Sequence, residues 1–249
     1  MKLTTSLAAA GLLLASGGAA MAQQSGASSF LDSLSSPTPS TPYTVRVGFS
    51  HFSPHSSATD AVGPLLPGPP SGVSLRVEDK STLFFSVSRA LNDNLEVELA
   101  MGYPPTHDVQ AQLSPNLPAH VQGFNGQTIA KVRQMAPTLF LNYAFGDAQS
   151  RWRPFVGLGV NYTNFDKRTS TAAGNALNGG PTDIRLSDSW GLAAQIGVVY
   201  KFNERWSIHT SLATARVKTR LTATTAGTAR EIDVKFRPTV FILSAGYRF

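Results

Sequence analysis

The sequence predicts an all-β protein, an eight-stranded antiparallel transmembrane β-barrel with short turns at one end and long loops at the other. Three observations support this prediction. Apolar residues recur at every second position in eight segments, the connections alternate between short and long, and the N-terminal residues have the layout of an export signal. The mean hydropathy of −0.05 excludes a helical membrane protein but fits barrel strands, whose two faces differ in polarity.

The first 22 residues have the three-part layout of a secretory signal peptide. Lys2 supplies a positive charge, residues 3–15 are mainly apolar, and Ala20-Met21-Ala22 forms a cleavage site of the Ala-x-Ala type. This apolar run is shorter than the roughly 20 residues that a transmembrane helix needs. We therefore predict a signal peptide over 1–22, a flexible periplasmic leader rich in Ser and Pro over 23–42, and an outer-membrane barrel over 43–249.

Composition excludes several classes of function. The 249 residues include no cysteine, which excludes a lipoprotein anchor, thiol chemistry and cysteine-based metal sites. The formal net charge of +6 is not gathered in a polybasic block, so we expect no nucleic-acid partner. The five histidines form neither a His-Glu-x-x-His pair nor a cluster, so we expect no metal and no cofactor.

The last strand shows the alternation most clearly. One face carries Phe249, Tyr247, Ala245, Leu243, Phe241 and Thr239, and the other carries Arg248, Gly246, Ser244, Ile242 and Val240. A terminal aromatic residue on an alternating strand resembles the signal by which the barrel-assembly machinery recognises outer-membrane proteins. We therefore expect this machinery to be a partner of the last strand. The alternative for this strand alone is a buried C-terminal strand of a soluble protein.

Seven earlier segments show the same period of two, which is typical of a strand with two different faces. Their apolar stripes, in chain order, are Tyr43-Val45-Val47-Phe49, Leu83-Phe85-Val87, Leu95-Val97-Leu99-Met101, Leu139-Leu141-Tyr143-Phe145, Val156-Leu158-Val160-Tyr162, Trp190-Leu192-Ala194-Ile196-Val198-Tyr200 and Trp206-Ile208-Leu212. Such stripes suit strands of about 9–11 residues, the length that crosses a bilayer at a tilt. Because lipid offers no hydrogen-bond partner, the sheet must close into a barrel.

The connections alternate in length. Short turns lie near 92–94, 146–147 and 203–204, and long polar or Pro/Gly-rich segments lie at 54–72, 104–126, 166–183 and 217–231. Short periplasmic turns and long extracellular loops are typical of outer-membrane barrels. The short-turn ends also carry aromatic residues that would form a girdle at the headgroups, namely Phe145, Tyr200, Phe202, Trp206, Tyr247 and Phe249.

Several segments resemble the OmpW family of small bacterial outer-membrane barrels. They are 101–108 (MGYPPTHD), 137–143 (PTLFLNY), 153–163 (RPFVGLGVNYT), 187–195 (SDSWGLAAQ) and 244–249 (SAGYRF). The resemblance extends in order over most of the mature chain. The resemblance implies an eight-stranded barrel that passes small hydrophobic molecules into or across the outer membrane.

The inward faces of the predicted strands divide the lumen into two levels. Near the short turns, we predict a polar plug formed by Arg46, Glu96, Glu98, Gln195 and Arg248, because unpaired charges in a tight lumen are costly. Above it, an apolar band of Phe84, Phe140, Val240 and Ile242 would hold a ligand. Candidate entrance residues are Leu65, Leu66 and Trp190, although the alternation places Trp190 on the lipid side.

We predict that a hydrophobic solute enters between the loops, rests on the apolar band and leaves sideways into the bilayer. The alternative is that the same residues only fill a closed structural or adhesive barrel, which contacts partners through its loops. A soluble lipocalin-like barrel that binds a ligand in the periplasm is a third reading. Enzymatic activity is not expected, although His209 shares an inward face with Ser207 and Ser211.

Five cations follow the lipid-facing stripes of the last two strands toward the long loops. They are Arg216, Lys218, Arg220, Lys235 and Arg237. Arg and Lys pair well with phosphate, and lipopolysaccharide carries phosphates at this level of the membrane. The sequence therefore predicts a lipopolysaccharide-binding rim, with an ordinary solvated rim as the alternative.

Overall fold

A computed structural model describes residues 37–54, 56–59, 61–62 and 71–249. The predicted signal peptide, residues 23–36 of the predicted leader, and the candidate entrance residues Leu65 and Leu66 lie outside the described residues. In the part that is described, neither of the short helices has the length and apolar character needed to cross a bilayer.

Strands make up most of the described chain. They are β1 (Tyr43–Ser53), β2 (Ser56–Ala58), β3 (Val73–Val77), β4 (Lys80–Ala90), β5 (Leu95–Gly102), β6 (Thr106–Leu113), β7 (Thr128–Met135), β8 (Thr138–Ala144), β9 (Trp152–Ser170), β10 (Thr182–Leu186), β11 (Ser189–Lys201), β12 (Trp206–Ala215), β13 (Val217–Thr225), β14 (Thr228–Phe236) and β15 (Thr239–Arg248). The helices are α1 (Ala119–Gln122) and α2 (Ala172–Asn178).

Eight of these strands close into an antiparallel barrel, which confirms the predicted fold class. The strand order is β1-β4-β5-β8-β9-β11-β12-β15, and β15 pairs with β1 to complete the ring. Val47 illustrates the closure, since it faces Phe85 on one side and Ala245 on the other. A closed ring leaves no open edge, so the backbone of the wall meets its hydrogen-bonding needs without water.

The polarity of the barrel wall follows the predicted alternation. Outward side chains are large and apolar, as in Leu158 and Phe49, which are 74% and 67% exposed to solvent. Their inward neighbours, such as Phe84 and Ser86, are buried in the lumen. An exposed apolar belt of this extent is stable only beside an apolar medium, as in a lipid bilayer.

One end of the barrel, the turn end, carries the short connections. At two of these turns an asparagine side chain accepts backbone N–H groups, Asn92 from Leu95 at 2.7 Å and Asn203 from Trp206 at 2.8 Å. Paired aromatic rings also lie there, with ring centroids 4.6 Å apart for Trp152 and Tyr200 and 4.9 Å apart for Trp206 and Tyr247. Amphipathic rings at this level suit a membrane–water interface.

The opposite end, the loop end, differs from the prediction, because its long connections are largely folded as strands. In one sheet β10, β13, β14 and β2 pair side by side, while β7, β6 and β3 continue the sheet from the upper part of β9. We call these loop-end elements the extension. Its buried core comprises Ala61, Leu75, Val109, Ala130, Val132, Phe165, Ile184, Val217, Leu221, Ile232 and Val234.

The extension was missed for a physical reason. Its strands carry charged residues on the outside, and their inward faces mix apolar residues with threonine, as in Val217, Thr219 and Leu221. From the sequence alone, a polar segment of this kind is predicted to be a loop. It forms strands in the protein because a second sheet covers its apolar face.

Candidate functional site

The lower half of the lumen contains a network of charged and amide side chains that we call the polar plug. Arg46 lies between two carboxylates, with Nη2 2.5 Å from Glu96 Oε1 and Nη1 2.6 Å from Glu98 Oε1. Asn142 and Gln195 donate to Glu98 Oε2 at 2.8 and 3.1 Å, and Gln195 also donates to Asn142 Oδ1 at 2.8 Å. Pairing of this kind offsets the cost of burying the charges inside the lumen.

Sequence reasoning identified four members of the plug but not the role of Asn142. The glycine pattern contained a signal for it. A Cβ atom at Gly157 would lie 2.2 Å from Asn142 Oδ1 and 2.9 Å from Gln195 Cγ, so only glycine leaves room for both amides. Gly157 therefore relieves crowding inside a narrow barrel.

Arg248 lies at the turn end of the lumen. It lines a cavity of about 70 Å³ together with Arg153 and Lys201 and with Arg46 and Glu96 of the plug. Arg153 donates to the carbonyl oxygen of Asp93 at 2.7 Å, and Lys201 Nζ donates to that of Ala148 at 2.5 Å. Arg248 thus shares the turn-end cavity with Arg46 and Glu96, while the hydrogen bonds described for the plug join the other members.

His209 also lines the turn-end cavity, and its Nε2 lies 2.9 Å from Ser207 Oγ. A serine nucleophile activated by histidine needs a carboxylate to orient the imidazole. In the part of the chain that the structure describes, the partner of His209 is Ser207 alone, and the charges near it are the cations Arg46, Arg248 and Lys201. The geometry is therefore that of a structural hydrogen bond.

The upper half of the lumen contains a second cavity of about 120 Å³, which we call the apolar cavity. All four residues of the predicted apolar band line it, namely Phe84, Phe140, Val240 and Ile242. Ala100 and Ala193 pack with them, and their small side chains leave the space open. An apolar chamber above a charged floor suits a ligand with a hydrocarbon body.

The wall of the apolar cavity also carries polar groups that sequence reasoning did not select. Asn161 donates to Thr138 Oγ1 at 2.9 Å and accepts from Thr163 Oγ1 at 2.7 Å, so these three side chains form a network of their own. His107, on β6 of the extension, also lines the cavity and is 3% exposed. Its place in the predicted second loop concealed it.

Trp190 does not line the lumen. It is 73% exposed on the outside of the wall, and its ring centroid lies 4.8 Å from that of Tyr162. The alternation had already placed its side chain toward lipid, and the structure shows that orientation. Trp190 therefore belongs with the aromatic residues of the outer surface and not with an entrance to the cavity.

The five predicted rim cations all point outward at the loop end and are exposed. Lys218 of β13 lies directly opposite Lys235 of β14 in the ladder. Arg220 differs from the other four, since its Nε lies 2.8 Å from Asp233 and its Nη1 3.6 Å from Glu231. The hydrogen bond from Arg220 lowers the pKa of Asp233, so this ion pair persists at neutral pH.

Residues 42–249 match the model of the OmpW family. Outer membrane protein W of Escherichia coli (strain K12) is 32% identical over 205 residues, which cover 82% of this chain and 87% of that protein. The dibenzothiophene metabolism operon protein PahQ of Pseudomonas aeruginosa is 26% identical over 220 residues, which cover 87% of this chain and 93% of that protein.

A solved structure gives the same picture. The crystal structure of the outer membrane protein OprG from Pseudomonas aeruginosa matches with a TM-score of 0.73 and 25% sequence identity. The match covers 86% of this chain and 98% of that chain. The barrel and much of the extension therefore have a counterpart of known structure.

Proposed function

Because this chain belongs to the OmpW family and is an outer-membrane β-barrel, we propose that it takes up small hydrophobic molecules through the apolar cavity and releases them sideways into the bilayer. The apolar cavity is the observation that carries this proposal. Below it, the plug bars a straight path to the periplasm, since Arg46, Glu96 and Glu98 occupy the lumen. A solute that reaches the cavity needs another way out.

The wall between β5 and β8 supports a lateral path. Their ladder ends at the pair Ala100 and Thr138, and the next described backbone hydrogen bond along this seam joins Gln134 N to Pro105 O at 3.0 Å. Pro104, Pro105 and Pro137 lie at the seam and have no N–H group to donate. The strands are therefore weakly joined there.

The apolar cavity reaches this seam from inside. Met101 and Gly102 line it on the β5 side, and Gln134 and Ala136 line it on the other side. Met101 is also exposed on the outer, lipid-facing surface. A side chain that borders both the cavity and the lipid indicates that little protein separates the two.

A relative also supports an apolar substrate. The name of PahQ ties that protein to an operon of dibenzothiophene metabolism. Dibenzothiophene is a flat aromatic molecule without a charge, of the class that the apolar cavity suits. The competing hypothesis is a closed structural or adhesive barrel, for which Phe84 and Phe140 would be filling only.

Uptake of a radiolabelled long-chain alkane by cells with and without the barrel tests the proposal. We expect Ala193→Phe, which fills the apolar cavity, to lower uptake to the level of cells that lack the protein. Ala245→Phe makes the same change on the lipid face and should leave uptake unchanged. Heat-modifiable migration on a gel verifies that both variants fold. Equal uptake with and without the barrel would support the closed-barrel hypothesis.

The lateral step has its own test. Since the chain has no cysteine, Gly102→Cys and Ala136→Cys place two unique thiols on opposite sides of the seam. We expect a bifunctional maleimide to lower uptake by the double variant and not by either single variant. If the cross-linked barrel takes up alkane at the unmodified rate, the solute leaves by another path.

We also propose that Arg216, Lys218, Lys235 and Arg237 bind lipopolysaccharide phosphates. Like charges directly opposite each other in a sheet are unfavourable, so the pair Lys218 and Lys235 favours an anion beside it. The ion pairs described for the chain outside its masked residues involve none of these four cations. Arg220, which is already paired with Asp233, is left out of this site.

A further inference from the structure

His107 stands out on the wall of the apolar cavity. Its ring is buried, and the ring centroid lies 5.1 Å from that of Phe52. His107 is near the start of β6, where the extension meets the barrel. A few buried side-chain polar atoms have no hydrogen-bond partner among the described residues. Of these atoms, His107 Nε2 is the one whose residue lines the apolar cavity. Burying such an atom without a partner costs free energy, so it calls for an explanation.

The tautomer of His107 follows from its other nitrogen. Nδ1 lies 3.3 Å from the carbonyl oxygen of Glu78, and a carbonyl oxygen only accepts hydrogen bonds. Nδ1 therefore carries the proton. In a neutral imidazole the remaining nitrogen then has a free lone pair, so Nε2 is a hydrogen-bond acceptor.

The imidazole is neutral at physiological pH. His107 lies in the extension, beyond the membrane-spanning strands, and burial lowers its pKa below the ordinary value of 6.5. Lys80 lowers the pKa further, whereas the hydrogen bond to Glu78 and the charge of Asp108 oppose the shift. Lys80 is itself paired with Asp108 at 3.1 Å, so these charges satisfy one another.

We infer that His107 Nε2 accepts a hydrogen bond from the solute, so that the apolar cavity favours molecules with one hydroxyl group, such as an alcohol or a phenol. The inference rests on the proposed uptake function and names its substrate class. Three other polar side chains of the wall, Asn161, Thr138 and Thr163, bond to one another. His107 thus supplies an acceptor whose partner is the ligand.

The direct test uses the barrel in lipid nanodiscs with [15N]histidine. We expect the His107 Nε2 resonance to move when 1-octanol is added and to stay in place with octane or octyl methyl ether, neither of which has an O–H group. Movement with all three compounds, or with none, would contradict the assignment of Nε2 as the acceptor.

Variants test the same contact by affinity. His107→Asn keeps a donor for the Glu78 carbonyl but has no acceptor at the Nε2 position, whereas His107→Gln can place an amide oxygen there. We expect displacement of a fluorescent alkyl probe to show a preference of wild type for octanol over octane of roughly three- to tenfold. The preference should be lost in His107→Asn and partly restored in His107→Gln.

His51→Asn is the matched control, because His51 is exposed, bonds to Ser81 and does not line the apolar cavity. If octane and octanol both bind wild type equally well, this inference fails and the uptake proposal stands. If neither compound displaces the probe, the uptake proposal fails as well. Should His107→Asn not fold, the nitrogen resonance of the wild-type protein still decides.

Discussion

The membrane-spanning barrel and the extension are both built from β-strands but differ in where their polar and apolar side chains lie. In the barrel the outward side chains are apolar and the lumen holds a polar network, whereas in the extension the apolar residues point inward and the charged ones outward. β9 shows the change within one strand. Its outward residues pass from Leu158 to Asp166, and its inward residues pass from Asn161 to Phe165.

This contrast shows that the medium outside each region decides which face is apolar. Lipid surrounds the barrel, so its outward apolar side chains would gain little free energy by moving into the protein interior. The lumen can therefore contain paired polar groups. Water surrounds the extension, so its apolar side chains gain free energy by facing inward. The apolar cavity lies where the two patterns meet, with the polar plug below and the extension core above.

Among substitutions that test the polar interior of the barrel, we expect the largest effect at Arg46. Arg46→Leu leaves Glu96 and Glu98 as two buried carboxylates without their cation. Removing one partner of a buried pair costs about 3–5 kcal/mol, so we expect the free energy of unfolding to fall by that amount in urea titrations of barrels in lipid vesicles. Arg89→Leu, on the outside of β4, is the control and should change it little. A fall below about 1 kcal/mol in Arg46→Leu would mean that the plug is not a tightly paired network.

The apolar interior of the extension is tested at Leu221. Leu221→Ala removes a buried side chain from its core, a change that costs about 2–5 kcal/mol in well-packed proteins. We expect faster amide hydrogen exchange in β13 and β14 but not in β12 and β15 of the barrel wall. Thr222→Ala, one residue along the same strand, should leave the exchange of β13 near that of wild type. Uniform acceleration throughout the barrel would show that the two regions unfold together.

The boundary between the two regions is tested at Lys235. If the rim binds phosphate as proposed, Lys235→Glu should weaken binding of purified lipopolysaccharide by about tenfold, which corresponds to about 1.4 kcal/mol, since attraction to phosphate is replaced by repulsion. Arg205→Glu makes the same charge change at the turn end and should leave the affinity near that of wild type. Similar losses in both variants would indicate that net charge, and not the rim, attracts the lipid.

The candidate site could be predicted in part because strand periodicity assigns every residue to a face. That rule placed Phe84, Phe140, Arg46 and Glu98 in the lumen, and the structure brings them together at the predicted levels. The periodicity rule did not identify His107, because β6 lies in a segment that the sequence pattern predicts to be a loop. It placed Arg248 low in the lumen, where Arg248 lines the turn-end cavity, but alternation does not show which inward neighbours a residue bonds to.

The sequence by itself determined the barrel, its eight strands, its closure and the polarity of both faces, because each depends on local alternation and on the lack of hydrogen-bond partners in lipid. Only the tertiary structure decided that the long loops fold into further strands, that the β5–β8 ladder stops beside the apolar cavity, and that His107 lies in the wall of that cavity. These features depend on contacts between segments that are distant in the sequence, and a local residue pattern does not specify those contacts.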